Sequence, residues 1–309
     1  MTTAIHTENL SKDFGTVRAV DGLSLAVPAG IVFGFLGPNG SGKTTTIRLL
    51  LGLLDATNGS AKVLGLDTKT QADQIRAQCG ALLEHVGLYE RFSAADNLEL
   101  YGRIWHLSAA ERQARSQELL THLGLWERRN ERVGKWSRGM KQKLAVARAL
   151  LHRPAMIFLD EPSAGLDPVA AAALREDLAA LVAREGITVF LTTHNLSEAE
   201  KLCHQVGVIR QGKLLACGTP QELRATTGRQ AAEISGRGFS EQLLAALNAR
   251  PEVASVTLQN GHLRLELQRD VELAPLISLI VNQGGQIEEV RKNNASLEDV
   301  FLTLMKEEA

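Results

Sequence analysis

The chain has 309 residues, a formal net charge of −1 at pH 7 and 44% hydrophobic residues. Its length predicts two domains, and its composition is that of a globular protein. The near-neutral charge gives no electrostatic basis for nucleic-acid binding, and no stretch approaches the roughly 18 consecutive apolar residues of a membrane-spanning helix.

The cysteines and the N-terminus indicate the compartment. Cys79, Cys203 and Cys217 are scattered and lack C-x-x-C spacing, which predicts reduced thiols rather than a disulfide framework or a zinc site. The first residues have neither the basic nor the apolar region of a secretion signal. We therefore expect a cytosolic protein that acts at a membrane only through a partner.

The first motif in chain order is a glycine-rich loop. An apolar run of strand length, residues 31–36, precedes it, and a predicted helix follows it. This is the context in which G-x-x-x-x-G-K-[ST] binds a nucleoside triphosphate, with backbone N–H groups and a helix N-terminus facing the phosphates. Lys43 then reaches the β- and γ-phosphates, and the Thr44 hydroxyl coordinates Mg²⁺. The expected nucleotide-binding residues are Gly37, Pro38, Asn39, Gly40, Ser41, Gly42, Lys43, Thr44 and Thr45.

The next element is a predicted helix at residues 95–105. Leu98, Tyr101 and Trp105 recur at helical spacing, which predicts one apolar face packed on a core.

A second apolar run ends in two acids. Residues 156–159 read as a strand buried on both faces, and Asp160 and Glu161 follow at its carboxyl end, where ligands bind in parallel sheets. Asp160 is suited to hold Mg²⁺ through water, and Glu161 to accept a proton from a water attacking the γ-phosphate. The alternative is a surface helix cap.

A third apolar run, residues 187–193, ends in His194. Its place at another strand end favours contact with the γ-phosphate and the attacking water over a structural role. Metal ligation is disfavoured because no histidine or cysteine partners are near in sequence. The chain also has no N-K-x-D motif, which argues against a GTPase.

The C-terminal segment predicts a separate fold. After a polar linker at residues 226–229, residues 253–259 and 262–267 alternate at period two around Asn260-Gly261, a strong hairpin signal. Predicted helices at 239–248 and 271–283 and a last strand at 286–291 complete a β-α-β-β-α-β ferredoxin-like domain. We find no ligand cluster there, so a stabilising or dimer-bracing role is favoured over a regulatory site.

Between the loop and the acidic strand lies Trp136-Ser137-Arg138-Gly139-Met140. Its order and spacing with the phosphate loop, Asp160-Glu161, Ser163-Ala164-Gly165-Leu166-Asp167 and His194 resemble the ATP-binding subunits of ABC transporters over about residues 5–225. The resemblance implies an α/β P-loop NTPase domain at residues 1–225, with a helical subdomain at about 87–150. The accessory α+β domain occupies residues 230–309.

The resemblance also implies ATP and Mg²⁺ as cofactors and assigns further residues. Ser137 and Gly139 would bind the γ-phosphate of ATP held by an opposite subunit, since a hydroxyl, glycine N–H groups and a helix start form an anion site. Asp167 would lie at the dimer seam. Phe14 would stack on adenine, with an ordinary core aromatic as the alternative.

Two parts of the sequence depart from the family pattern. The usual signature is Leu-Ser-Gly-Gly-Gln, whereas this chain has Trp136-Ser137-Arg138-Gly139-Met140; this variant resembles the branch that exports drugs, antibiotics and surface polymers. Glu84 replaces the usual glutamine near the metal. It still offers an oxygen to Mg²⁺ but adds negative charge beside the phosphates.

The resemblance therefore implies the ATP-binding and ATP-hydrolysing subunit of an export complex. Its expected partners are an integral membrane permease and a second copy or related ATPase subunit, with no nucleic acid. The expected location is the inner face of the membrane. The alternatives are an ABC-type ATPase with a mechanical or repair role and a P-loop kinase.

Overall fold

The protein divides into two compact units. A computed structural model describes residues 2–226, 230–259, 262–267, 271–294 and 296–307. The units comprise Met1–Thr219 and Pro220–Ala309. The division falls before the predicted boundary at residues 225–230 because the helix Pro220–Thr226 contacts the helix Leu297–Glu307.

Two sheets and their flanking helices build the first unit. The strands are β1 (Thr3–Phe14), β2 (Val17–Pro28), β3 (Val32–Leu36), β4 (Asn58–Val63), β5 (Leu66–Asp67), β6 (Cys79–Leu82), β7 (Met156–Asp160), β8 (Thr188–Thr193), β9 (Gln205–Arg210) and β10 (Lys213–Gly218). The helices are α1 (Lys43–Leu50), α2 (Ala72–Gln78), α3 (Ala94–Ile104), α4 (Ala109–His122), α5 (Arg138–Leu150), α6 (Pro168–Glu185) and α7 (Leu196–Leu202). One sheet has the order β2-β1-β4-β5 and the other β10-β9-β3-β8-β7-β6.

The six-stranded sheet positions the predicted site. Strands β9, β3, β8, β7 and β6 run parallel, and β10 is an antiparallel edge strand. Every residue of β3, β7 and β8 is buried, as expected for apolar strands covered on both faces. The three predicted strands are confirmed, and their carboxyl ends meet at one edge of the sheet.

A single core joins the two sheets of the first unit. Ile5 and Leu23 from the antiparallel sheet, Ile47 from α1 and Phe33 and Phe190 from the parallel sheet belong to one buried cluster. The Phe33 and Phe190 ring centroids lie 5.5 Å apart, within the range of favourable aromatic pairs. Because α1 packs into this cluster, the helix that follows the phosphate loop is held in a fixed position.

Helices α3, α4 and α5 occupy the region predicted to be helical. Ser93 caps α3 and Ser108 caps α4, each in a capping box with the acid three residues later. Leu98 is fully buried and Tyr101 half-buried on α3, and Trp105 follows its last residue. The predicted helix at residues 95–105 is therefore confirmed to within one residue at each end.

The second unit has the predicted β-α-β-β-α-β order. After α8 (Pro220–Thr226) come β11 (Gln230–Arg237), α9 (Glu241–Asn248), β12 (Val253–Gln259), β13 (His262–Leu267), α10 (Ala274–Asn282), β14 (Gln286–Asn294) and α11 (Leu297–Glu307). The strands form an antiparallel sheet in the order β12-β13-β11-β14, whose core includes Ile234, Leu243, Leu265 and Ile280. The predicted Asn260-Gly261 turn and most of the predicted linker lie outside the described residues.

Candidate nucleotide-binding site

The glycines of the loop after β3 let the chain pass close to its neighbours. Gly40 and Gly42 have φ values of 78° and 106°, in the left-handed region that favours glycine. A Cβ on Gly42 would lie 2.3 Å from the Ala19 carbonyl oxygen, and one on Gly37 would lie 2.4 Å from that of Ile209. No side chain caps α1 at Gly42, so the N–H groups of its first turn face the loop.

Two polar side chains inside the loop are suited to an anion. Lys43 is buried, and its Nζ donates to the carbonyl oxygens of Gly37 at 2.8 Å and Pro38 at 3.1 Å. The Ser41 hydroxyl is also buried and has no hydrogen-bond partner in the structure. A buried hydroxyl without a partner beside a lysine and a helix N-terminus fits a bound phosphate.

Asp160 joins the loop to the strand ends. The Thr44 hydroxyl donates to its Oδ2 at 2.7 Å, and the Thr192 hydroxyl donates to its Oδ1 at 2.5 Å. A hydroxyl and a carboxylate at this distance are the hard oxygen donors that Mg²⁺ prefers, with water and phosphate completing the shell. Within the described residues no group of three or more His, Cys, Asp or Glu side chains could hold a metal ion by itself, and the three cysteines form no disulfide.

Glu161 is held from both of its carboxylate oxygens. Lys43 Nζ lies 3.2 Å from its Oε1, and His194 Nδ1 lies 2.5 Å from its Oε2. Its backbone has a φ of 48° and its N–H donates to Thr192 through both the carbonyl and the hydroxyl oxygen. The loop after β3 and the ends of β7 and β8 thus bring together Lys43, Glu161 and His194.

Lys43, Thr44, Asp160 and Glu161 line an open cleft of about 580 Å³. Glu84 and Glu161 both border it, so the Glu84 carboxylate lies on the wall of the nucleotide cleft. Arg138, Lys141 and Gln142 at the start of α5 border it as well. The Arg138 guanidinium lies against the Gly165 backbone, where an added Cβ would be 2.3 Å from its Nη1.

The remaining predicted residues lie elsewhere. Ser137 caps α5, its Oγ accepting from the Met140 N–H at 3.3 Å, and it is exposed; Gly139 is half-buried near Ala170. Neither lines the cleft of the same chain. Phe14, at the end of β1, is 48% exposed, so the alternative of a core aromatic is wrong.

The sequence did not single out Thr192, Lys141 and Gln142 as site residues. Thr192 reads as part of an apolar strand, although a hydroxyl one residue before that strand's end was a usable signal. Lys141 and Gln142 follow the signature segment directly, in the first turns of α5, so only the helix direction brings them to the cleft.

A second cavity of about 240 Å³ lies beside the first. Its lining is mainly apolar and includes Leu51, Leu53, Leu83, Tyr101 and Trp105. The Trp105 ring stacks on the His152 imidazole, with centroids 3.9 Å apart. Burial lowers the pKa of His152 to about 4, so this ring is neutral at pH 7. We refer to this cavity as the apolar groove.

Comparison with known proteins assigns this arrangement to a family. Residues 20–164 match the family model described as ABC transporter, and residues 218–305 match the C-terminal domain of DrrA1-3-like ATP-binding proteins. The chain is 36% identical to the daunorubicin resistance ATP-binding protein DrrA2 of Streptomyces coeruleorubidus, over 97% of this chain and 94% of that protein. The chain belongs to the ATP-binding subunits of ABC transporters.

Other relatives and solved structures agree. The Nod factor export ATP-binding protein I of Paraburkholderia xenovorans (strain LB400) is 37% identical, over 97% of this chain and 96% of that protein. A solved ATP-binding subunit of an ABC transporter superposes with a TM-score of 0.66 at 30% identity, covering 73% of this chain and 94% of that one. The chain is thus an ATP-binding and ATP-hydrolysing transporter subunit, which the resemblance predicted. No helix among the described residues is long and apolar enough to cross a membrane.

Proposed function

We propose that the cleft binds ATP with Mg²⁺ and that Glu161 is the general base of hydrolysis. The observation that carries this proposal is that both carboxylate oxygens of Glu161 are contacted next to the phosphate loop. Lys43 Nζ lies 3.2 Å from Oε1, and His194 Nδ1 lies 2.5 Å from Oε2. A carboxylate fixed in this way can accept a proton from a water aligned with the γ-phosphate.

The other residues of the cleft divide the work of binding. The loop N–H groups, Lys43 and Ser41 hold the phosphates, and His194 orients Glu161 and contacts the γ-phosphate. Thr44 and Asp160, with Glu84 as a further oxygen donor, would hold Mg²⁺, which would supply positive charge beside the phosphates. Phe14, exposed at the end of β1, stacks on the adenine.

Ser137 and Gly139 complete the cleft of a second ATPase subunit. Support comes from their place at the start of α5, outside the lining of their own cleft, combined with the exposure of Ser137. A hydroxyl, glycine N–H groups and a helix N-terminus bind an anion, so ATP held by one subunit would join two subunits. ATP binds the closed pair better than the open one, and this difference performs mechanical work.

The apolar groove takes a cytoplasmic segment of a membrane permease, which places the subunit at the inner face of the membrane. Leu83 supports this proposal because it lines both the groove and the nucleotide cleft, next to Glu84. A segment seated in the groove would therefore press on the cleft wall. Relatives named for daunorubicin resistance and Nod factor export support export as the direction of transport.

The test of the base is Glu161→Gln. The variant is expected to bind ATP with an unchanged Kd and to hydrolyse it at least ~10²-fold more slowly, because the amide cannot accept the proton. Phosphate release and ATP binding are measured on the same full-length preparation. Asp177→Asn, at a carboxylate paired with Lys143 and outside the cleft lining, is the matched control and keeps its turnover. Undiminished turnover in Glu161→Gln would contradict the assignment.

A further inference from the structure

Glu198 is a buried carboxylate that the nucleotide site does not use. It lies on α7 and is 4% exposed. Its Oε2 accepts hydrogen bonds from the Ser163 hydroxyl at 2.7 Å and the Thr193 hydroxyl at 3.1 Å. A buried charge is costly unless hydrogen bonds satisfy it, so two hydroxyl donors on one oxygen indicate a fixed arrangement.

The two donors come from the two segments that carry the proposed chemistry. Ser163 lies two residues after Glu161, and Thr193 immediately precedes His194. Glu161 and His194 touch each other directly, with 2.5 Å between carboxylate oxygen and imidazole nitrogen. Glu198 therefore forms a second link between the same two segments.

The start of α7 fixes both Glu198 and the Thr193 hydroxyl. Asn195 caps the helix by accepting from the Glu198 N–H at 3.1 Å. The Asn195 N–H donates to the Thr193 hydroxyl at 2.9 Å. Because that hydroxyl oxygen accepts from Asn195, its own proton is directed to Glu198. Thr193, Asn195 and Glu198 thus form a closed set of hydrogen bonds at the end of β8.

We propose that Glu198 is a positioning residue that sets the contact between Glu161 and His194. Its carboxylate holds the segment after β7 against the end of β8 through Ser163 and Thr193. The inference rests on the hydrolytic roles proposed for Glu161 and His194. Since Glu198 does not line the nucleotide cleft, its removal acts on the rate of hydrolysis and spares ATP binding.

The experiment compares Glu198→Ala with Glu198→Gln in the full-length protein, measuring kcat and the Kd for ATP. Glu198→Ala is expected to lower kcat by about 10- to 100-fold at unchanged Kd, because a misplacement of about 1 Å costs up to ~10²-fold. Glu198→Gln is expected to retain most of the rate, since its amide oxygen still accepts from both hydroxyls. Ser197→Ala, an exposed neighbour on α7, is the matched control and leaves both quantities unchanged.

Ser163→Ala provides the second measurement and covers the case in which Glu198→Ala does not fold. Alone it is expected to lower kcat in the same direction. Combined with Glu198→Ala it adds little, because both changes remove the same hydrogen bond between Ser163 and Glu198. Full additivity, equal losses in the Ala and Gln variants of Glu198, or unchanged kcat in Ser163→Ala would overturn the inference. Retained turnover in Glu161→Gln would instead refute the proposed base, which separates the two failures.

Discussion

At the scale of single residues, the position of the Glu161 carboxylate depends on the backbone conformation of this residue as well as on its side-chain contacts. A φ of 48° lies in the left-handed region, which costs a residue with a Cβ about 1–2 kcal/mol. The two hydrogen bonds from its N–H to Thr192 help to offset this cost. Strained residues of this kind concentrate at functional sites, which agrees with the role proposed for Glu161.

Arg115 supports a prediction on stability at the same scale. Its guanidinium is buried, and both terminal nitrogens lie 2.9 Å from the Glu185 carboxylate. Burial alone would raise the pKa of Glu185, but hydrogen bonds from Arg115 and Arg184 outweigh it and lower that pKa to about 2. Arg115→Met is expected to destabilise the first unit by about 3 kcal/mol at pH 7, because it removes one partner of a buried pair.

The pH dependence of this loss follows from the sign of the shift. A lowered pKa stabilises the folded state above pH about 4.5, and this stabilisation is lost as pH falls toward 2. The difference in unfolding free energy between wild type and Arg115→Met should therefore decrease over that pH interval. Denaturant unfolding followed by tryptophan fluorescence measures it, since all three tryptophans lie in the first unit. Arg184→Met, at a more exposed partner of Glu185, is the control and costs less than about 1 kcal/mol. A constant difference from pH 7 to pH 2 would contradict the argument.

At the scale of elements, helix α4 carries Arg115 and begins with an exposed capping box. Ser108 Oγ accepts from the Glu111 N–H at 3.3 Å, and Glu111 accepts from the Ser108 N–H at 2.8 Å. Ser108→Ala is expected to lower the unfolding free energy by ~1 kcal/mol, because an N–H of the first turn loses its partner. Ser108→Asn retains a capping oxygen and stays within a few tenths of a kcal/mol. Tryptophan-detected unfolding measures both variants, and equal losses would exclude capping as the cause.

The elements that the sequence predicted are those with local signals. Strands β7 and β8 are apolar runs, and the phosphate loop carries its glycines and lysine within eight residues. The long antiparallel strands β1 and β2 were not predicted, because repeated register shifts break the period-two pattern. The roles of Thr192 and Glu198 were also missed. Their contacts join residues 32 and 35 positions apart, which only the folded sheet brings together.

At the scale of the whole molecule, the nucleotide cleft belongs entirely to the first unit. The second unit has its own sheet and its own buried core. Ser137 and Gly139, which do not line this cleft, lie at the start of α5. This distribution predicts that nucleotide binding by one chain and closure of two chains can be separated by mutation.

Ser137→Arg tests this separation. A long charged side chain at the exposed N-cap of α5 is expected to block closure onto a second subunit, while the phosphate loop of its own chain stays intact. ATP Kd should change less than about 2-fold, whereas ATP-dependent dimerisation and turnover should fall at least ~10-fold, because closure depends on that anion site. Dimerisation is measured by light scattering in proteins that also carry Glu161→Gln. Ser137→Asn, which keeps the helix cap, controls for loss of capping. Equal loss of ATP binding would place Ser137 in the site of its own chain.

The central place of β3 has a consequence for how the protein is made. Val32 pairs with Val189, and Phe33 pairs with Gln205, so the strand before the phosphate loop lies between two partners from much later in the chain. At ribosomal rates of about 5–20 residues per second, β3 waits roughly 10–30 s for its neighbours. Pairings this distant in sequence are slow and leave an apolar strand open to aggregation. The nucleotide cleft is therefore among the last parts of the first unit to assemble during synthesis. Nascent chains that end before β9 would not bind ATP.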